Sequence, residues 1–144
     1  MSVYLDTSIV VAAITSELRT PAVQGWLRRL ATEAVISDWV VAETPSALSM
    51  KVRSGALTVA QRDIATAEFD SWCAGILRIV PVRRADFHTA GRYAARAELN
   101  LRAGDALHLA LAATEQLAIA TLDRRMAAAA VTLGFTLADF GETP

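Results

Sequence analysis

The chain has 144 residues, of which 53% are hydrophobic and 20% charged, and its formal net charge is −1. This length predicts a single domain over residues 1–144, and the one cysteine, Cys73, fits a reducing cytoplasm. The nearly balanced charge excludes a broad basic face, and the short, charge-interrupted apolar runs exclude a membrane span. No basic segment precedes the first apolar run, so we expect no signal peptide and a cytoplasmic location.

The first half of the sequence alternates between strand and helix patterns. Apolar runs over residues 2–5 and 34–37 predict short, buried strands. Cap residues and the helical spacing of apolar side chains predict helices over 9–14, from Pro21 onward and over 38–53.

The second half continues this alternation. Its predicted elements are, in order, a helix over 58–73, a strand over 76–82, helices over 85–97 and 104–117, a strand over 118–122, a helix over 123–134 and a last strand over 135–137. Strands separated by helices are typical of an α/β fold with a parallel sheet covered on both faces. Ligands of such sheets bind beyond the carboxyl ends of the strands.

Four acidic residues are predicted to lie near that edge of the sheet. Asp6 directly follows the first strand and Asp123 closely follows the 118–122 strand, while Glu43 and Asp105 stand in the first turns of two helices. Clustered carboxylates repel one another unless a cation neutralises them, and Mg²⁺ or Mn²⁺ prefers such oxygen ligands. Taken singly, Asp6 and Asp123 also suit helix caps and Asp105 suits a helix dipole. The four together favour a metal site.

The sequence around these acids resembles that of a known family. The motifs are YLDTS at residues 4–8, IS at 36–37 with AE at 42–43, RAGDALHLA at 102–110 and ATLDRR at 120–125. In this order and spacing they resemble the PIN-domain family, and within it the VapC-type toxin ribonucleases of type II toxin-antitoxin systems. The similarity extends over almost the whole chain, and the third motif is the most specific.

The resemblance implies both a fold and an activity. The fold is a three-layer α/β/α sandwich around a mainly parallel sheet of about five strands. The activity is a Mg²⁺- or Mn²⁺-dependent endoribonuclease that cleaves RNA by metal-activated water, leaving 5′-phosphate and 3′-hydroxyl ends. The implied partners are the RNA substrate and a small cognate antitoxin protein, and the resemblance also implies a homodimer.

The resemblance also implies roles for individual residues. Asp6 and Asp105 correspond to the principal metal ligands, and Glu43 and Asp123 to the acids that complete the catalytic set. Supporting roles are implied for the hydroxyls of Thr7, Ser8 and Thr121, which would hold carboxylates or waters. Arg102 stands just before Gly104 and Asp105, and this position favours it as a supporting residue that binds phosphate. Pro45 lies two residues after Glu43, and we expect it to kink the helix and change the aim of Glu43.

Other residues keep two interpretations. His108 lies on the same helical face as Asp105, but its leucine neighbours favour a buried, hydrogen-bonded core histidine over a metal ligand. Five arginines form either a phosphate-binding rim or ordinary solvated helix ends, and they are Arg83, Arg84, Arg102, Arg124 and Arg125.

Three alternative functions remain. A PIN-like module could bind a partner without catalysis, or a PIN nuclease could process RNA outside a toxin pair. A phosphoryl-transfer protein of the receiver or dehalogenase type also places an aspartate after its first strand. It needs a lysine near the site or a second aspartate two residues on, whereas Lys51 lies well down a helix and Ser8 stands at the second position.

Overall fold

A computed structural model describes residues 2–141 of the chain. Within that range a parallel sheet has the strand order β3-β2-β1-β4. Its strands are β1 (Val3–Leu5), β2 (Ala34–Ser37), β3 (Arg78–Val80) and β4 (Ala118–Ala120). The two central strands, β1 and β2, are almost wholly buried, as their uninterrupted apolar sequences predict.

Helices flank the sheet and connect its strands. They are α1 (Thr7–Ile14), α2 (Thr20–Arg29), α3 (Asp38–Arg53), α4 (Val59–Gly75), α5 (Arg84–Ala94), α6 (Ala103–Thr114) and α7 (Arg124–Thr132), with a 3₁₀ turn over Ala97–Leu99. Helix α1 contacts α2, α3 and α4, whereas α6 contacts α5 and α7. These two groups of helices and the sheet between them confirm the predicted α/β architecture.

Two strands are shorter than the sequence predicts, namely the strand predicted over 76–82 and the one predicted over 135–137. Strand β3 ends at Val80 because Pro81 has no amide hydrogen to continue a ladder. The strand predicted over 135–137 is reduced to a single parallel bridge between Leu137 and Ile119. The expected sheet of about five strands therefore consists of four strands and one bridge in the described part of the chain.

Helix α3 continues through Pro45, contrary to the expected disruption. Ser37 caps the helix by accepting the amide hydrogen of Val40, and the helix runs unbroken to Arg53. Val40, Thr44 and Leu48 are fully buried at a spacing of four residues. Their packing against the core compensates for the hydrogen bond that Pro45 removes, so Glu43 stays on a continuous helix.

The end of α6 also differs from the prediction of a helix through residue 117. The helix ends at Thr114, and Gln116 takes a left-handed conformation with φ of 54°. The amide of Leu117 then bonds back to the carbonyl of Ala112, which closes the helix and turns the chain into β4.

The strand order creates a crevice beside β1. The chain moves from β1 outward to β2 and β3, and then returns to place β4 on the other side of β1. Such a reversal of strand order opens a ligand-binding crevice at the carboxyl ends of the two strands concerned, here β1 and β4. Among residues 2–141, no helix is both long enough and apolar enough to cross a membrane.

Candidate active site

Asp6 lies at the carboxyl end of β1 and is only 2% exposed. It caps α1, because one carboxylate oxygen, Oδ1, accepts the amide hydrogen of Ile9 at 3.2 Å. Burial raises the pKa of Asp6, while His108 and the hydrogen bonds that Asp6 accepts oppose that rise without cancelling it. The predicted cap and the predicted place in the crevice are therefore both correct for this residue.

Hydroxyl groups join Asp6 to the end of β4. Thr121 Oγ1 donates to Asp6 Oδ2 at 2.5 Å, and Ser8 Oγ donates to Asp6 Oδ1 at the same distance. Ser8 Oγ in turn accepts the amide hydrogen of Leu122 at 2.9 Å. These bonds fix Asp6 in one orientation and hold the ends of β1 and β4 together.

Glu43 reaches the same edge from the second turn of α3. Its Oε1 atom accepts a hydrogen bond from Thr7 Oγ1 at 2.8 Å and lies 2.5 Å from Nε2 of His108. Burial raises the pKa of Glu43, but the interaction with His108 and the hydrogen bond from Thr7 outweigh it, so the pKa is lowered overall. Glu43 is therefore ionised in the folded protein at neutral pH.

Asp105 lies in the first turn of α6 and faces other negative charges. Burial raises its pKa, and the charges of Asp123 and Glu43 raise it further, whereas His108 and Arg125 lower it. Within residues 2–141 the Asp105 side chain makes no hydrogen bond and no ion pair. Asp105 is thus a half-buried carboxylate beside two others, which is an arrangement that a cation would stabilise.

Asp123 caps α7 at the end of β4. Its Oδ1 atom accepts the amide hydrogens of Arg125 and Met126 at 2.8 and 3.0 Å, and its own amide donates to Thr121 Oγ1. The cap interpretation is correct, and the same geometry places the Asp123 carboxylate near Asp105 and the Asp6–Thr121 pair.

The five arginines do not form one rim. Arg102 at the start of α6 is exposed, as are Arg124 and Arg125 at the start of α7, so these three lie at the same ends of their helices as Asp105 and Asp123. Arg83 instead pairs with Glu115 at 3.6 Å, just after the far end of α6. A twelve-residue helix is about 18 Å long, so Arg83 lies well away from the acidic edge.

The donor set is suited to Mg²⁺ or Mn²⁺, although the side chains do not form a complete cage. In the described residues, no group of three or more His, Cys, Asp and Glu side chains is placed to hold a metal ion. Mg²⁺ commonly binds through one or two carboxylates and keeps several waters, so it does not need such a group. The repulsion around Asp105 is the observation in favour of a cation here.

Sequence reasoning identified His108 as a core residue but missed its link to the site. The histidine is 2% exposed and hydrogen-bonded, as predicted, with Nδ1 at 2.9 Å from the Tyr4 hydroxyl. Its other ring nitrogen contacts Glu43. The only hint in the sequence is that His108 follows Asp105 by three residues and so shares its helical face.

The family model for the PIN domain matches residues 3–131. Because the match covers most of the chain, this protein belongs to the PIN domain family. This confirms the family predicted from the four motifs. No curated protein matches the chain at a significant level.

Solved structures share this fold. The sarcin-ricin-loop-cleaving toxin VapC20 of Mycobacterium tuberculosis is 17% identical, with a TM-score of 0.73 over 94% of this chain and 98% of that chain. VapBC2 of Rickettsia felis, solved with a DNA fragment from its promoter, gives 18% and 0.69 over 96% and 98%. A toxin-antitoxin complex from Klebsiella pneumoniae gives 16% and 0.59 over 84% and 86%. At these identities the similarity establishes the fold.

Proposed function

We propose that this PIN-domain protein is a Mg²⁺- or Mn²⁺-dependent endoribonuclease and the toxin of a type II toxin-antitoxin pair. The observation that carries the proposal is the group of four acids at the crevice between β1 and β4. The acids are Asp6, Glu43, Asp105 and Asp123. They come from four separate segments, and the pKa of Asp105 is raised by burial and by the charges of Asp123 and Glu43.

The chain's own residues would divide the work. Asp6 and Asp105 would hold the cation, and Glu43 and Asp123 would complete the site directly or through water. Thr121 and Ser8 keep Asp6 oriented through their hydrogen bonds, and Thr7 does the same for Glu43. When bound, a divalent cation activates water and stabilises negative charge on a phosphoryl group.

The surroundings of the acids suit a phosphodiester substrate. Helices α6 and α7 both begin at this edge, and the amino ends of helices attract anions. Exposed Arg102, Arg124 and Arg125 stand at those helix starts and can grip RNA phosphates with two hydrogen bonds each. Hydrolysis here would leave 5′-phosphate and 3′-hydroxyl ends.

The proposed toxin function is supported by the solved structures that share this fold. One similar structure is of a toxin and another of a toxin-antitoxin complex. By analogy, a small antitoxin would bind this chain, and the chain would form a homodimer in the cytoplasm. The site also disfavours the phosphoryl-transfer alternative, because the Nζ atom of Lys51 pairs with Glu17 at 2.5 Å and is engaged elsewhere.

An RNA cleavage assay tests the activity. Purified protein should cut structured and single-stranded RNA with Mg²⁺ or Mn²⁺ and stop when the cation is chelated. Asp105→Asn removes one ligand charge and should lower the rate by more than about 100-fold. The matched control is Asp63→Asn, on the exposed face of α4, which should leave the rate unchanged. Full cation-dependent cleavage by Asp105→Asn would contradict the proposal.

A non-catalytic binding module is the second candidate. It is favoured by the hydrogen bonds that already satisfy Asp6 and Asp123 as helix caps, together with the lack of a three-ligand group in the described residues. A binding module would retain RNA on a filter without cutting it, with or without a divalent cation. An RNA-processing nuclease outside a toxin pair would instead cut RNA and yet fail to arrest growth when expressed alone.

A further inference from the structure

We propose that His108 is a positioning residue that holds Glu43 in one orientation through a hydrogen-bond relay running from Ser37 through Tyr4. The inference rests on the proposed function, because it gives Glu43 a task in the acidic site. The four side chains belong to four different elements, namely β2, β1, α6 and α3. The relay thus runs from the centre of the sheet to the site.

The relay is continuous and shielded from water for most of its length. Ser37 Oγ lies 2.7 Å from the Tyr4 hydroxyl oxygen, which lies 2.9 Å from His108 Nδ1. His108 Nε2 lies 2.5 Å from Glu43 Oε1. Ser37 and Tyr4 are completely buried and His108 almost so, and water therefore cannot easily replace the contacts of Tyr4 with Ser37 and with His108.

Counting hydrogens gives the relay a direction. Ser37 Oγ already accepts the amide hydrogen of Val40, which leaves its own hydrogen to donate to Tyr4. The Tyr4 hydroxyl then donates to Nδ1 of His108, and Nε2–H of His108 donates to Glu43. In this arrangement every polar hydrogen of the relay has an acceptor.

The opposite direction leaves groups unsatisfied. If Nδ1–H donated to Tyr4, the Tyr4 hydrogen would point to Ser37, and the Ser37 hydrogen would have no acceptor among residues 2–141. In the neutral ring an unprotonated Nε2 would also face the Glu43 carboxylate at close range. A buried hydroxyl without a partner costs about 1–3 kcal/mol, so the first direction is favoured.

The relay gives the two carboxylate oxygens of Glu43 different surroundings. Oε1 receives hydrogen bonds from His108 and Thr7. Oε2 faces the start of α6, at 3.8 Å from where a Cβ at Gly104 would stand. The relay therefore fixes the carboxylate by one oxygen and turns the other towards the segment that carries Asp105.

Nitrogen-15 spectroscopy of the metal-free protein tests the relay itself. The chain has two histidines, so His88→Gln leaves His108 as the only imidazole to observe. His88 is exposed on α5 and outside the relay. In the neutral ring we expect hydrogen on Nε2 and none on Nδ1, and Tyr4→Phe should shift the Nδ1 resonance to that of a nitrogen without a hydrogen-bond donor. A neutral ring with its hydrogen on Nδ1 would overturn the relay.

Two substitutions at His108 test its effect on Glu43. His108→Leu fits a leucine-rich helix but cannot donate, whereas His108→Gln retains an N–H near the position of Nε2. The carbon-13 resonance of the Glu43 carboxyl group should shift in the leucine variant and return in the glutamine variant. A resonance unchanged in both variants would overturn the positioning role, whether or not the protein has any activity.

The kinetics of RNA cleavage by the same two variants give a second test. His108→Leu should lower kcat by about 10- to 100-fold with little change in KM for RNA, because the arginines that would bind RNA are untouched. His108→Gln should recover most of that loss, and equal loss in both variants would contradict positioning by the N–H group. A separate outcome is that wild type cuts no RNA although His108 carries its hydrogen on Nε2 and the Glu43 carboxyl resonance shifts in His108→Leu. That result would overturn the proposed nuclease function and leave the relay standing.

Discussion

Acidic side chains at the two ends of the sheet have opposite surroundings. At the amino end, Arg78 pairs with Glu33 at 2.7 Å and with Glu115 at 3.3 Å, and Arg83 adds a further pair to Glu115. At the carboxyl end, Asp105 faces Asp123 and Glu43. The acids at the amino end are neutralised by arginines, whereas no ion pair neutralises Asp105 among residues 2–141, which is the arrangement expected of a ligand site.

Asp86 is a buried acid that is held by hydrogen bonds from neutral donors. Asp86 is 1% exposed, accepts the amide hydrogen of Arg83 at 2.7 Å, and accepts a hydrogen bond from Thr114 Oγ1 at 2.7 Å. It caps α5 and ties that helix to the end of α6. Both of its hydrogen bonds come from neutral donors, one at the start of α5 and one from the end of α6, as expected of a carboxylate with a structural role.

Replacing Asp86 should have the largest effect on stability. Asp86→Ala removes both hydrogen bonds and with them the cap of α5, so the free energy of unfolding should fall by about 1–2 kcal/mol. Asp105→Ala in the metal-free protein should not lower it, because like-charge repulsion is relieved. Urea denaturation of both variants measures the difference. Equal destabilisation would break the distinction between the two acids.

The raised pKa of Asp105, at the carboxyl end of the sheet, should make the free energy of unfolding depend on pH. The pKa of Asp105 in the folded protein is raised above its ordinary value of 3.8, so the folded state binds more protons than the unfolded state in the pH window between these two values. In that window the free energy of unfolding should decrease as pH rises. Asp105→Asn should flatten this slope in metal-free protein, whereas Asp63→Asn should leave it. An unaltered slope in Asp105→Asn would show that neither burial nor the neighbouring acids raise the pKa of Asp105.

The smallest effect is expected at the amino end. Arg78 and Glu33 are both more than a third exposed, so Arg78→Ala should cost at most about 1 kcal/mol, and less at high salt. RNA cleavage should be unchanged, because this cluster lies at the other end of α6 from Asp105. A loss of activity in Arg78→Ala with intact stability would extend the functional surface to this end.

Much of this arrangement follows from local sequence. The ends of apolar runs placed Asp6 and Asp123 at one edge of a parallel sheet, and the helix predicted over 58–73 agrees with α4, which Thr58 caps. The family predicted from the motifs is confirmed. The roles of the four acids in catalysis and metal binding stay predictions.

The features that sequence did not reveal depend on long-range packing. Tyr4 and His108 are 104 residues apart and meet only because α6 packs beside β1. Arg83 and Arg102 both stand near helix starts, and the sequence alone does not separate them. In the structure Arg102 lies at the beginning of α6, whereas Arg83, at the start of α5, lies near the end of α6. Pro45 was expected to disturb α3, and the burial of Val40, Thr44 and Leu48 explains why the helix persists.

The proposed function requires the acids between β1 and β4 to hold a divalent cation. The most direct test is the melting temperature of the protein as Mn²⁺ is added, for wild type and for Asp6→Ala combined with Asp105→Ala. A ligand that binds only the folded state raises the melting temperature by mass action, so wild type should be stabilised and the double variant should not. An equal rise in both proteins would place the cation elsewhere, and no rise in wild type would contradict the metal site.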